Sequence, residues 1–150
     1  MIAYPDTSFL FAFYLRQSNS PAAAAYAAST REPINLTELV HFEFRQSVRF
    51  QVWRNAAKPT EGVNRIDAEA ALSQLDEDLE NGIAVLHPCS VREVLIRAEE
   101  LSERHTIRGG HRSFDVLHVA TALVLNAEKL LTFDQNQRVL ANAAGLKVGP

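Results

Sequence analysis

Apolar and polar positions alternate along the chain in blocks that read as strand, then helix. Residues 1–4 form a short apolar run closed by Pro5, the pattern of a buried strand that stops there. Asp6-Thr7-Ser8 then precedes the apolar stretch 9–15, which predicts a helix capped by one of those polar residues. Ser20-Pro21-Ala22 opens an alanine-rich helix to about Ser29, and residues 33–36 read as a second strand. Thr37 is the N-cap candidate of a long helix to Ala57 that contains no Gly or Pro. Pro59-Thr60-Glu61 is expected to start the next helix, which Asn81-Gly82 ends. A third strand falls at 83–86, and Ser90-Val91-Arg92-Glu93 is a capping box opening a helix to about Arg104. After a loop at 106–112, Ser113 caps a strongly apolar helix to about Leu125. A fourth strand at 129–133, a helix at 134–144 ended by Gly145, and a last strand at 146–148 complete the series. Strands alternating with helices imply an α/β fold around a mostly parallel sheet.

Composition narrows the class without changing this picture. A length of 150 residues fits one domain, 1–150, able to bury roughly two-thirds of its unfolded surface. With 47% hydrophobic and 22% charged residues, the chain is not a disordered one. The lone Cys89 excludes an intrachain disulfide framework and a cysteine zinc site. The apolar stretches fall far short of the ~18 residues of a membrane span. Asp6 sits where a signal peptide would be apolar, so a cytoplasmic location is expected.

A net charge of −3 argues against wrapping nucleic acid through bulk positive charge. It leaves room for a local basic rim, because charge is uneven. Six acids and no base fall between Asp67 and Glu80, most simply a solvated helix face. Residues 104–112 hold three arginines and two histidines with no acid.

The candidate chemistry lies in four carboxylates. Asp6 and Asp134 each follow a short apolar strand and lead into a helix, and Asp115 lies in the first turn of the most apolar helix. In parallel α/β folds such positions gather along one edge of the sheet, where ligands bind. Glu43 sits among Leu39, Val40, Phe42, Phe44 and Val48, where an acid must reach a solvated cleft or a cation. Taken singly, helix capping accounts for each aspartate and an amphipathic edge for the glutamate. Their conjunction carries more.

Tyr4-Pro5-Asp6-Thr7-Ser8-Phe9-Leu10, Phe42-Glu43-Phe44-Arg45, Phe114-Asp115-Val116-Leu117-His118-Val119-Ala120-Thr121-Ala122 and Leu131-Thr132-Phe133-Asp134 resemble, in order, the four signatures of the PIN domain. The resemblance is strongest to VapC-type toxin ribonucleases of toxin–antitoxin pairs and covers essentially the whole chain. It implies a three-layer sandwich with a central, mostly parallel sheet of about five short strands flanked by helices. It also implies a metal-dependent endoribonuclease. Asp6, Glu43, Asp115 and Asp134 match the family's acidic cluster, whose hard oxygen ligands suit Mg²⁺ or Mn²⁺. Ser8 and Thr132 match polar positions that orient the carboxylates. Pro5 is the one departure, standing where an aliphatic strand residue is more usual.

The expected partners follow from the same resemblance: an RNA substrate (tRNA or rRNA among the candidates), a small antitoxin and a second copy of the chain. Arg108 and Arg112 flank Gly109-Gly110 and either hold phosphates beside the metals or belong to a solvated turn. Arg54 is on nearly the same helix face as Glu43 but ~16 Å away, whereas Arg45 and Arg49 point elsewhere. His118 reads as a packed core residue rather than a metal ligand. Two other classes stand beside the nuclease. One is a PIN-fold binding module without turnover; the other, an aspartyl phosphatase, lacks the usual second acid because Ser8 stands two residues after Asp6. No Gly-x-Gly-x-x-Gly follows the first strand, which disfavours a Rossmann dehydrogenase.

Overall fold

The computed structural model describes residues 2–150. Five short strands alternate with helices, as the apolar blocks predict: β1 (Ala3–Pro5), α1 (Thr7–Tyr14), α2 (Ser20–Ser29), β2 (Ile34–Leu36), α3 (Glu38–Ala57), α4 (Arg65–Glu80), β3 (Ala84–Leu86), α5 (Val91–Leu101), α6 (Ile107–Gly109), α7 (Ser113–Val124), β4 (Lys129–Leu131), α8 (Gln135–Ala143) and β5 (Lys147–Gly149). β1, β4 and β5 form a parallel ladder in that order, with Ala3 opposite Lys129 and Leu131 opposite Gly149. β2 and β3 form a second parallel pair, Ile34 opposite Ala84. β2 runs beside β1 without a regular ladder; the Asn35 amide spans the seam to the Ala3 carbonyl at 3.4 Å. The strands thus make one central parallel layer with helices packed around it. This is the three-layer arrangement expected, with a seam the sequence did not announce.

Tyr4, Leu36 and Leu130 on the strands are fully buried, as are Phe44 and Val48 of α3, Val119 of α7 and Leu140 of α8. Their aliphatic and aromatic surface holds the layers together. Pro5 ends β1 without a donor, and Asp6 N–H takes over the ladder bond to the Leu131 carbonyl at 2.9 Å.

Four local expectations need correction. The helix expected to start at Pro59 begins only at Arg65, capped by Asn64, whose side chain accepts from Asp67 N–H. Gly62 adopts φ +70° between them, and the Glu61 carbonyl is held by the Asn55 amide at 2.9 Å. The first half of the loop expected at 106–112 is helical: α5 runs on through a π-helical turn, Ser102–Thr106, into α6, with no glycine or proline before Gly109, and Gly110 ends it in the left-handed region. Ser113 is the first residue of α7 rather than its cap, and the Asp115 carboxylate accepts from Arg112 N–H at 3.1 Å instead. Asp78, in the acidic run read as solvated, is 4% exposed and accepts from the Tyr14 hydroxyl at 2.8 Å.

Candidate active site

Parallel strands put their C-terminal ends on one edge, and there the chain gathers its acids. Asp6 follows β1 and caps α1, accepting from Phe9 N–H at 2.9 Å. Asp134 follows the neighbouring β4 and caps α8 through Asn136 and Gln137 N–H. Asp115 reaches the same edge from the first turn of α7, and Glu43 from the second turn of α3. All four line one cavity of about 500 Å³, together with Thr7, Ser8, Arg112 and Gln137.

Capping and site chemistry coincide here, because the cap positions are the strand ends. Asp6 is 1% exposed, with the Ser8 hydroxyl on Oδ1 at 2.7 Å and the Thr132 hydroxyl on Oδ2 at 2.6 Å. Ser8 in turn accepts from Phe133 N–H and Thr132 from Asp134 N–H, so the two hydroxyls lock both strand ends together. Burial nonetheless raises the Asp6 carboxyl above its ordinary range, outweighing those bonds. Glu43 shifts the other way. Burial pushes it up, but hydrogen bonds from His118 and Thr7 to Oε2 outweigh that and hold it below the usual range.

Asp115 is 3% exposed, and its Oδ2 accepts from Arg112 Nε at 3.2 Å. The same guanidinium lies 3.5 Å from Asp134 Oδ2, so Arg112 spans two of the acids while its side chain stays largely exposed. Gln137 Nε2 lies 3.5 Å from Asp115 Oδ1. Among the described residues, no three acidic, histidine or cysteine side chains form a ready-made metal cage. Asp115 and Asp134 are both turned onto Arg112. The donor set itself, four carboxylates in one cavity, fits a hard divalent cation.

Asp6, Glu43, Asp115, Asp134, Ser8, Thr132 and Arg112 are thus brought together. Arg108 is not: it is exposed on α6 and forms no wall of the cavity. Gly109 packs against the chain's own His111 ring, where an added Cβ would lie 2.2 Å from Nε2. Arg45 pairs with Asp76 and Arg54 with Glu61, both away from the cavity. Thr7 and Gln137 escaped the sequence reading. Both stand within three residues of a cluster aspartate, at the first turns of α1 and α8, and that spacing is the signal available for them. His118 is the buried, hydrogen-bonded residue expected, but its partner is Glu43.

This combination is an all-parallel α/β layer with carboxylates converging at its C-terminal edge, the edge at which such folds bind their ligands. The PIN domain family model matches residues 3–143, and the chain belongs to that family, a family of nucleases that generally use divalent metals. No curated protein sequence matches it. Solved structures share its fold at low identity. VapC20 of Mycobacterium tuberculosis, a sarcin–ricin loop cleaving toxin, aligns with TM-score 0.69 at 18% identity over 99% of this chain and 100% of its own. FitAcB of Neisseria gonorrhoeae gives 0.62 at 17% identity over 99% and 97%. PAE2754 of Pyrobaculum aerophilum gives 0.58 at 17% identity over 98% and 89%.

Proposed function

We propose that this chain is a metal-dependent endoribonuclease that hydrolyses phosphodiester bonds in a structured RNA, as the toxin of a toxin–antitoxin pair. The carrying observation is the lining of one cavity by Asp6, Glu43, Asp115 and Asp134 within a PIN domain. These four would hold Mg²⁺ or Mn²⁺, which when bound neutralises the carboxylates and polarises the scissile phosphate. Ser8 and Thr132 fix the Asp6 oxygens, so this buried ligand cannot swing away. Arg112, released from Asp115 and Asp134, has the reach and exposure to take a substrate phosphate oxygen through its fork of donors. Arg108, further out on the surface, would meet the RNA backbone beyond the cut.

Likeness in fold to a toxin that cleaves the sarcin–ricin loop supports a structured RNA, tRNA or rRNA, as the substrate class. Exposed apolar side chains support a protein partner, either a second copy or a small antitoxin. Phe42 of α3, Val91, Leu95 and Ile96 of α5, and Phe114 of α7 are 39% to 70% exposed. No helix among the described residues is long and apolar enough to cross a membrane.

The test is digestion of a total bacterial RNA pool by purified protein in Mn²⁺, Mg²⁺ or chelator, with Asp6→Asn in parallel. A few discrete, metal-dependent bands missing from the mutant lane are expected. Metal-loaded, antitoxin-free protein that cleaves nothing in the pool would favour a PIN-fold binding module without turnover. Equal cleavage by wild type and mutant would overturn the assignment of the site.

A further inference from the structure

Behind the acid cavity lies a side chain that the proposed chemistry does not use. His118 stands one turn after Asp115 on α7 but faces inward, 1% exposed, and forms no wall of the cavity. Both ring nitrogens are engaged. Nδ1 lies 3.3 Å from the hydroxyl of Tyr4, itself fully buried and 3.4 Å from Thr37 Oγ1. Nε2 lies 2.5 Å from Glu43 Oε2. An ionised carboxylate has no proton to offer, so Nε2 carries the hydrogen and donates, whatever the state of the other nitrogen. With both nitrogens committed inside the core, the ring has none left for a cation.

The bond discriminates between the two glutamate oxygens. The Thr7 hydroxyl also donates to Oε2, and neither bond falls on Oε1. Oε2 is therefore fixed by two donors, His118 from the core and Thr7 from the cavity wall, and Oε1 is the oxygen left for a ligand in the cavity. Glutamate has three side-chain torsions, and the exposed Arg112 guanidinium offers a competing partner across the pocket. A donor rooted in the core decides that competition by geometry.

We infer that His118 is a positioning residue: its Nε2–H, steadied by Tyr4, fixes the Glu43 carboxylate so that Oε1 faces the divalent cation. The inference rests on the proposed metal-dependent reading of the cavity.

Its test compares two amide replacements in the full chain. In His118→Gln, the side-chain amide reaches the position of the ring Nε2 and can donate to Glu43. In His118→Asn, the amide ends near Nδ1 and cannot. Mn²⁺ affinity is read by calorimetric titration, kcat and KM on the cleaved RNA separately, and melting in chelator checks the fold. We expect His118→Asn to weaken Mn²⁺ binding about 10–100-fold, the usual loss when an outer partner of a ligand is removed. Cleavage should fall at subsaturating metal with KM for RNA unchanged, and His118→Gln should stay within about threefold of wild type. Should His118→Asn fail to melt cooperatively, His118→Leu, which fills the space without a donor, takes its place with the same expectation.

Equal Mn²⁺ affinity in wild type and the donor-less variant would overturn the inference, as would equal losses in the Gln and Asn variants. Asp6→Asn separates this from failure of the site reading. If Asp6→Asn abolishes Mn²⁺ binding while the donor-less variant binds as wild type, only the role of His118 falls. If Asp6→Asn binds Mn²⁺ normally, the metal site itself is misassigned.

Discussion

Replacing Asp6 by Asn should stabilise the metal-free protein while abolishing its response to metal. Asn is as good an N-cap as Asp, so the bond from Phe9 N–H survives. The amide oxygen keeps the Ser8 hydroxyl, and the Thr132 hydroxyl, now facing an NH₂ group, can turn toward Ser8 Oγ at 3.3 Å. What disappears is a buried negative charge whose carboxyl is raised by desolvation. Each unit by which a native carboxyl is raised corresponds to about 1.4 kcal/mol, and for a chain of this size that is a Tm gain of roughly 3–6 °C. The sign in pH follows. A raised native pKa means the folded state takes up a proton before the unfolded chain does. That contribution is fully present below the unfolded pKa and is lost as pH rises through the folded one. In chelator, the Tm advantage of Asp6→Asn should therefore be largest at neutral pH and shrink on acidification. With Mn²⁺ at 100 times its Kd, wild type should gain about 2.7 kcal/mol of stability and the variant almost none. Scanning calorimetry of both proteins, in chelator and in Mn²⁺ across pH, reads all three quantities. A variant that melts below wild type in chelator would mean that Asp6 is a structural cap and not a strained ligand.

Other sites give sharper stability tests. Gly62→Ala forces a side chain into φ +70° with its Cβ 2.1 Å from the Gln51 carbonyl oxygen on α3, and should cost about 3 kcal/mol, seen as a clear drop in the urea midpoint. Tyr14→Phe removes the hydroxyl bonded to buried Asp78, leaving Gln74 on that carboxylate, and should cost about 1–3 kcal/mol in the same assay. Burial and Asp78 raise the Tyr14 hydroxyl, so its contribution is intact below pH ~10 and lost above it; Tyr14→Phe should flatten part of the alkaline limb of stability against pH, and an unchanged limb would contradict this. Arg112→Ala should weaken RNA binding while leaving Mn²⁺ affinity equal or higher, since a cation competing for Asp115 and Asp134 is gone; lower Mn²⁺ affinity would make Arg112 a support of the acids instead.

Much of this architecture was legible because the strands are brief apolar runs and the helices between them carry caps. Asn81-Gly82, Ser90 and Gly145 punctuate the chain where the structure does. The four acids were legible as a group because a parallel layer brings cap positions after its strands to one edge. Where local signals failed, a tertiary contact had overridden them. Pro59 is a fair helix start, but the Asn55 amide holds the Pro59 and Glu61 carbonyls in a loop against α3. Asp78 lies in a run of acids, yet it faces Tyr14 on another element. His118 showed its burial through its apolar neighbours, while its partner, 75 residues away on α3, left no trace in local pattern.

The bond between the Thr132 hydroxyl and Asp6 joins residues 126 apart, nearly the whole length of the chain. Closing so distant a contact is a late event in folding, and on the ribosome it must wait until β4 has emerged. An unfinished chain carries Asp6, Glu43 and even Asp115 but lacks the strand that draws them into one cavity. Premature termination anywhere before Thr132 should thus yield an inert product, and the nuclease proposed here would become competent only once β4 and Thr132 have been made.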